Sequence, residues 1–470
     1  MMNKRKIRLL LLSLSCVLLV VCVVLFTLII NWSSDTPKEK ETSNSVYLGN
    51  TASADVSTDD GLSPTPEAEE TPEQITYTEM TLISTGDYMM HMPQVDSALQ
   101  ADGTYDFSEY TKYIDDIVSE ADYAVLNLET TVSGAEYGYS GYPSFNSPES
   151  LLDALSGAGF DICLFANNHT YDRGHTGLIN TQNAIAEHGL DCIGTRLDND
   201  SKSYKIVEAN GIKLGLLNYS YETGDEGESV KFLNGIRLDD RSVPLVDTFN
   251  VNRLEKFYSE VEQRMDEMKQ EGADMIVIYI HWGEEYQKRS NSTQQEIAQK
   301  LCDLGVDAIV GSHPHVVQES AMLTSSDGTH VMTCLYSTGN FISNQNRLTL
   351  TSSDPDGYTE NSVLYKITFR KYSTGETVIV NTDYIATWVH RIQQGGDISY
   401  TIVPLEAALE SDASMSEYGL YNSDFGVSHA TEALKRIDDL LKDGVETFNA
   451  AVVLPYDDSV ATAVSVDAQE

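Results

Sequence analysis

The sequence predicts an α/β domain, and three observations carry that expectation. From Glu79 onward, short β-rich runs alternate with helical stretches. Glycines stand just past four of the helical stretches, where a helix stops. Residues of unusual polar type fall just after hydrophobic runs, where the strands of a parallel sheet would end.

The chain begins with a basic stretch, residues 1–8, carrying Lys4, Arg5, Lys6 and Arg8. Leu9 to Ile30 follow without a charge. At about 1.5 Å per helical residue that run is long enough to cross a hydrocarbon core of about 30 Å. The positive flank comes first, so residues 1–8 are expected in the cytoplasm and the rest outside, in the cell membrane's extracytoplasmic space. The exit, Thr27-Leu28-Ile29-Ile30-Asn31-Trp32, offers no small-x-small cleavage site, and Cys16 and Cys22 lie inside the run. An uncleaved single-pass anchor at 9–30 is therefore expected over a cleaved signal or a lipoprotein. Residues 31–78 are rich in Ser, Thr, Pro and Glu and poor in apolar residues, which predicts a disordered tether.

In the following domain, 79–406, the strand expectations are Met80–Thr85, Tyr123–Leu128, Ile162–Ala166, Leu214–Tyr219, Met275–His281, Ala308–Gly311 and Val331–Ser337. Helical patterns cover Phe107–Glu120, Glu149–Ala158, Gly177–His188, Val251–Gln270 and Thr293–Leu304. Gly159, Gly189, Gly272 and Gly305 are the stops. Val363–Arg370 and Thr377–Arg391 read as strands with no helix between them, an antiparallel part of the same domain. Residues 407–470 read as an extension, with a short amphipathic helix over Glu432–Leu441 and an acidic tail.

Charge excludes some functions. Thirty Lys and Arg against 72 Asp and Glu give −42, so no basic face exists for a nucleic acid partner. Six cysteines in 470 residues are too few for a disulfide scaffold, and buried free thiols are expected at Cys163, Cys192, Cys302 and Cys334. Gly-rich phosphate loops and a Gly-x-Ser-x-Gly elbow are absent.

The strand ends carry the chemistry. They read Gly86-Asp87, then Asn127-Leu128-Glu129, then Asn167-Asn168-His169, then His281-Trp282-Gly283-Glu284-Glu285, then Gly311-Ser312-His313-Pro314-His315. Each segment alone has an ordinary reading: turn chemistry for Asp87, a cap for Glu129, a packed core ring for His281. Their coincidence is what matters, since four of the ten histidines fall in three such loops. In a parallel sheet these ends share one edge, so Asp87, Glu129, Asn168, His169, His281, His313 and His315 are expected to converge. Carboxylates, neutral imidazoles and an amide oxygen suit a pair of divalent cations such as Mn, Fe or Zn. Such a pair can activate a water and stabilise both oxygens of a displaced ester. His169 is placed to donate a proton to the leaving oxygen. A bend at Pro314 is expected to aim His313 and His315 inward.

These motifs, with Asp172, Gly174, Tyr286 and Gly339-Asn340-Phe341 after them, resemble the CapA family of poly-γ-glutamate capsule-synthesis proteins, within the calcineurin-like metallophosphoesterase superfamily. The resemblance covers roughly Glu79 to Ile342. It implies a four-layer α/β/β/α sandwich with a metal pair at one edge of the sheets. It assigns Asp87 and His315 to a first cation, Asn168, His281 and His313 to a second, and Glu129 to the bridge. It implies His169 as the acid and Asp172 as its orienting partner. Asn127, Glu285 and Asn340 become pocket candidates, and Arg173 an anion contact. The superfamily has Asp-x-His in its first motif; here Asp87-Tyr88-Met89 stands, with His91 two positions later as the remaining candidate ligand. Tyr137, Tyr139 and Tyr142 lie in a Gly-rich loop that either covers a cleft or packs on itself.

Two readings follow from the resemblance. One is an anchored metal-dependent hydrolase handling a capsular anionic polymer, with a phosphoester or an amide as the bond cleaved. The other is a non-catalytic assembly or export subunit of a membrane polymer synthase. In both, synthase subunits are the expected protein partners.

Overall fold

Alternating apolar residues at period two decide which face of each strand is buried. The computed structural model describes residues 74–227, 229–457 and 459–464. The segments expected as a membrane anchor and as most of the tether lie outside them. Among the described residues, no helix is long and apolar enough to cross a membrane.

The strands are β1 (Thr76–Tyr88), β2 (Tyr123–Leu128), β3 (Ile162–Leu164), β4 (Asp191–Ile193), β5 (Lys205–Ala209) and β6 (Ile212–Tyr221). Then come β7 (Phe232–Leu233), β8 (Ile236–Arg237), β9 (Thr248–Phe249), β10 (Met275–His281), β11 (Ala308–Ser312), β12 (Ser320–Thr324) and β13 (Val331–Leu335). The last are β14 (Asn361–Tyr372), β15 (Thr377–Gln394), β16 (Asp397–Pro404) and β17 (Thr462–Ala463).

Two sheets carry the fold. One runs β16-β15-β14-β1-β2-β3-β4, and the other β12-β13-β11-β10-β6-β5. The stretch β1-β2-β3-β4 is parallel, as is β13-β11-β10-β6, so the C-terminal ends of each set point one way. Met80, Leu82, Val125 and Ile162 from the first sheet share one core with Leu214, Leu216, Val277 and Val310 from the second. The buried hydroxyls of Ser84 and Tyr279 join the sheets at 3.0 Å. The opposite side chains face outward and are covered by helices. Ile83, Ala124 and Leu126 pack with Leu151, Leu155 and Ile185 of helices Ser150–Gly157 and Gly174–Glu187. Leu217, Ile276 and Ile278 pack with Val261, Met265, Ile297 and Leu301 of helices Leu254–Gln270 and Ser292–Leu304. The layers are thus α/β/β/α.

Gly159, Gly189, Gly272 and Gly305 all take positive φ, as helix stops do. The pattern over Phe107–Glu120 is not one helix: a 3-10 turn at Ser108–Tyr110 precedes a short helix at Asp115–Ser119. The buried Tyr110 hydroxyl donates to the Gln94 carbonyl at 2.6 Å, and Asp106 caps Ser108, so tertiary contacts override the local pattern. The helix expected over Glu432–Leu441 is much longer, Gly426–Ala451. Ala430, Ala433, Ile437, Leu441 and Phe448 belong to the inter-sheet core, so no break in packing occurs at 406. The described residues form one unit. Part of the acidic tail is also paired, Thr462–Ala463 running parallel to Thr76–Tyr77. Cys163, Cys302 and Cys334 are buried free thiols; Cys192 is free and partly buried.

Candidate metal centre

The C-terminal ends of β1, β2, β10 and β11 meet at one rim, and the loops there are shaped by close backbone approach. The β1–β2 register shifts between Thr85 and Asp87, so Gly86 forms a bulge that re-aims Asp87. The Asp87 N–H donates to the Gly339 carbonyl at 2.9 Å. A Cβ on residue 86 would lie 1.9 Å from that oxygen, which restricts the position to glycine.

Asp87, Glu129, His281, His313 and His315 are all buried here, although 228 positions separate the outermost pair along the chain. The Asp87 carboxylate accepts the Asn127 amide at 2.8 Å, and its other oxygen faces His315 Nδ1 at 2.9 Å. His281 Nε2 lies 3.0 Å from the Asn168 amide oxygen and 3.6 Å from Glu129 Oε1. His315 Nε2 is 3.9 Å from the same Glu129 oxygen. Two ligand sets emerge, Asp87-Glu129-His281 and Glu129-His313-His315, the ligand atoms of each within 4.8 Å of one another. Glu129 belongs to both.

Inward aim of the two histidines comes from their own backbone. His313 and His315 hold φ of 96° and 59°, so the bend expected at Pro314 is made by its neighbours. Tyr286, at φ 64°, donates its N–H to the Pro314 carbonyl and fixes the turn. Three non-glycine residues in the left-handed region around one rim are a concentration of strain typical of functional sites.

Burial dominates the electrostatics. It drives the His281 and His313 imidazoles well below their usual range, and the neighbouring imidazoles add to the effect, so both rings are held neutral. Burial and the Asp87 charge push the Glu129 carboxyl well up. Among the described residues, Glu129 Oε1 and His313 Nδ1 are buried without a hydrogen-bond partner. Unmet acceptors in a carboxylate, imidazole and amide set fit divalent cations of the Mn, Fe or Zn kind.

His169 is buried beside this ring, its Nδ1 2.8 Å from Asp172 Oδ2. The same Asp172 oxygen accepts the Phe145 N–H at 2.8 Å, and the Phe145 ring stands edge-on to His169. Asp172 therefore touches the acid candidate and not the ligand ring. Asn127 bridges Asp87, Glu129 and His281 through its amide and is itself held by Asn167.

Other candidates sit further out. His91 packs edge-on against Phe145, and its Nδ1 faces the Asn344 N–H at 3.4 Å; burial lowers its pKa to about 4. Glu285 is exposed at the mouth, near enough for its charge to raise Glu129. Asn340 donates its amide to Gln345 and to the Thr359 carbonyl, tying a loop. Arg173 is bonded to Ser140 and Ser144 of the Gly-rich loop and braces it. Tyr137 and Tyr142 of that loop are exposed, and Tyr142 reaches the Phe145 ring edge.

Two contributors, Tyr221 and Asn234, lie outside the motifs, and two inside them, Ser312 and Asn167, carried no assigned role. Ser312 Oγ lies 2.9 Å from His281 Nδ1, and the Tyr221 ring covers His313 at 4.7 Å. Asn167 supports Asn127. Asn234 receives a hydrogen bond from Asn168 at 3.2 Å and stands 3.3 Å from His169 Nδ1. It sits with Gly235 at the tip of the β7–β8 hairpin, both at positive φ. An Asn-Gly pair between short apolar runs is the sequence signal that could have found it.

Residues 81–345 match the family model described as bacterial capsule synthesis protein PGA_cap. The PGA biosynthesis protein CapA of Bacillus subtilis (strain 168) is 26% identical over 286 residues, covering 59% of this chain and 67% of that one. The capsule biosynthesis protein CapA of Bacillus anthracis is 29% identical over 270 residues, covering 57% and 60%. The match thus spans about 60% to two thirds of these relatives' length. Among solved structures, the sulfate thiohydrolase SoxB of Thermus thermophilus aligns at 13% identity over 78% of this chain and 61% of that one, with a TM-score of 0.37.

Proposed function

Because the chain belongs to the bacterial capsule synthesis protein PGA_cap family, we propose that it handles a capsular anionic polymer of the poly-γ-glutamate kind, in synthesis, export or processing, through a two-cation hydrolytic centre. The observation that carries the metal part is Glu129, shared between two buried ligand sets. Asp87 and His281, with Asn168 3.0 Å from His281, would hold one cation and His313 and His315 the other, Glu129 belonging to both sets; the resemblance pairs the histidines differently, His315 with Asp87 and His313 with His281. When bound, such cations supply positive charge to the oxygens of a phosphoester or amide under attack and acidify a water. His169 would hold the proton given to the leaving group at Nε2, with Asp172 fixing the ring through Nδ1. Phe145 shields that pair from solvent, and Asn127 keeps the two carboxylates apart in orientation. The N-terminal run 9–30 would anchor the domain outside the cell membrane, near the synthase subunits that are its proposed partners.

The test is complementation of a deletion strain. Wild type restores cell-associated polymer, and Asp87→Ala and His281→Ala do not. Metal analysis of the full chain should give two equivalents of Mn²⁺ or Zn²⁺ in wild type. Full rescue by both variants would remove the hydrolytic reading.

One observation favours a second reading, an assembly or export subunit with a single weak cation. Met89 occupies the place where the superfamily has its first-motif histidine, and His91 faces Asn344 and Phe145 instead of the ligand ring. One metal equivalent together with full rescue would select it.

A further inference from the structure

Just past strand β6 lies a cavity of about 370 Å³ that the proposed chemistry does not use. Strand β6 connects it to the cation ring: the Tyr221 ring covers His313, and the next residue, Glu222, lines the cavity. Five cationic side chains line it, Arg196, Lys231, Arg253, Lys256 and Arg264, against three acids, Glu222, Asp247 and Glu260. Arg253 is also paired with Asp225, so the local excess is one positive charge, in a chain of net charge −42.

The acids are already engaged. Asp247 takes both Arg196, at 2.7 Å, and Arg264, at 3.1 Å. Glu222 accepts Thr248, Asn250 and Arg253. Glu260 lies 4.0 Å from Lys256. Lys231 is different: its ammonium is bonded to the Val246 carbonyl at 2.5 Å and, among the described residues, forms no ion pair. Burial lowers its pKa to about 8, which leaves it mostly charged at neutral pH. An ammonium has three donors, so two remain for a ligand. The Asp247, Glu222 and Glu260 charges reach this half-buried ammonium from a distance, but none bonds to it, so a bound anion would give it a direct partner.

Lys231 is also mechanically placed. It immediately precedes β7, and its carbonyl accepts the Leu238 N–H, closing the base of the hairpin. Three residues on, Asn234 at the tip meets Asn168 and His169. We propose that this cavity is an anion subsite that takes a carboxylate of an acidic chain whose neighbouring unit lies at the cation ring, with Lys231 as the recognising group. The proposal rests on the polymer-handling reading and names its substrate contact. A bound carboxylate pins the root of the hairpin whose tip touches the acid. An excess of one positive charge around the cavity suits a singly charged group, repeated along a polymer, better than a dianion.

Calorimetric titration of the full chain with tri-γ-glutamate tests it, with triglutamine as the neutral control. Wild type should bind tri-γ-glutamate and not triglutamine. Lys231→Gln should weaken binding roughly tenfold or more, the loss expected for a charge-assisted contact. Lys256→Gln, at the half-exposed lip, should weaken it by about threefold and covers the case in which the Lys231 variant fails to fold. Mn²⁺ uptake should be unchanged in both. If wild type takes no Mn²⁺ but still binds tri-γ-glutamate through Lys231, the hydrolytic reading fails and the subsite stands. Equal binding by wild type, Lys231→Gln and Lys256→Gln, equal binding of triglutamine, or displacement only by inorganic phosphate would overturn the subsite.

Discussion

Replacing Gly86 with Ala should damage both the fold and the rim. The added methyl would sit 1.9 Å from the Gly339 carbonyl oxygen, 2.9 Å from its carbon and 3.0 Å from Thr338 Oγ1. Backbone atoms cannot swing aside as a flexible side chain does, so the segments must part by more than an ångström. Two hydrogen bonds hold them together, Asp87 N–H to Gly339 at 2.9 Å and Ile342 N–H to Asp87 at 3.2 Å. Overpacking costs about 1–3 kcal/mol, and each bond lost about 0.5–1.5 kcal/mol. The expected loss is therefore on the order of 3 kcal/mol. Guanidinium unfolding followed by tryptophan fluorescence reads it, since Trp282 and Trp388 are buried. Gly157→Ala is the matched control: it lies at the end of a helix with nothing within 4 Å, and should stabilise by up to about 1 kcal/mol. Gly86→Ala should also weaken Mn²⁺ binding, because Asp87 moves with the bulge. A Gly86→Ala protein within about 0.5 kcal/mol of wild type would refute the close-approach account of this bulge.

Three further outcomes are expected. Asp172→Asn can keep both hydrogen bonds at one oxygen and should change stability little while lowering polymer output; Asp172→Ala strands the Phe145 N–H and should cost about 1–3 kcal/mol, both read by unfolding and complementation. Burial raises the Asp307 carboxyl to about 6, so the stability it permits is fully present below about pH 3.8 and lost as pH rises through about 6; Asp307→Asn should gain on wild type between pH 4 and 7 by about 3 kcal/mol, and parallel stability profiles would contradict this. Ile437→Ala, in the long C-terminal helix, should destabilise by about 2–5 kcal/mol if that helix is core, whereas a detachable extension would unfold at an unchanged midpoint.

The sheets were legible because their strands are short apolar runs, and residues such as Asp87, Glu129, His281 and His313 betray themselves by being polar where such runs stop. What brings them together is the parallel order of β1-β2 and β6-β10-β11, which strand-end position alone anticipates. Conformation within the loops was not legible. The positive φ of His313 and His315 is imposed by tertiary contacts, as is the turn of His91 toward Asn344. Asn340 was expected in the pocket and Arg173 as an anion contact, but Asn340 bonds the Gln345 amide and the Thr359 carbonyl, and Arg173 bonds Ser140 and Ser144 of the loop. Asn234 comes from a hairpin with no metal-ligating residue of its own. The helix over Gly426–Ala451 was underestimated because its apolar face is interrupted by charges at the flanks, and only docking between the sheets explains its length.

Pairing of Thr462–Ala463 with Thr76–Tyr77 places both ends of the described chain at the start of β1, whereas Asp87 stands near its far end. At about 3.3 Å per residue the separation along the strand is roughly 36 Å. The two ends of the described residues are therefore anchored together at one end of β1, and the rim that carries Asp87 opens at the other.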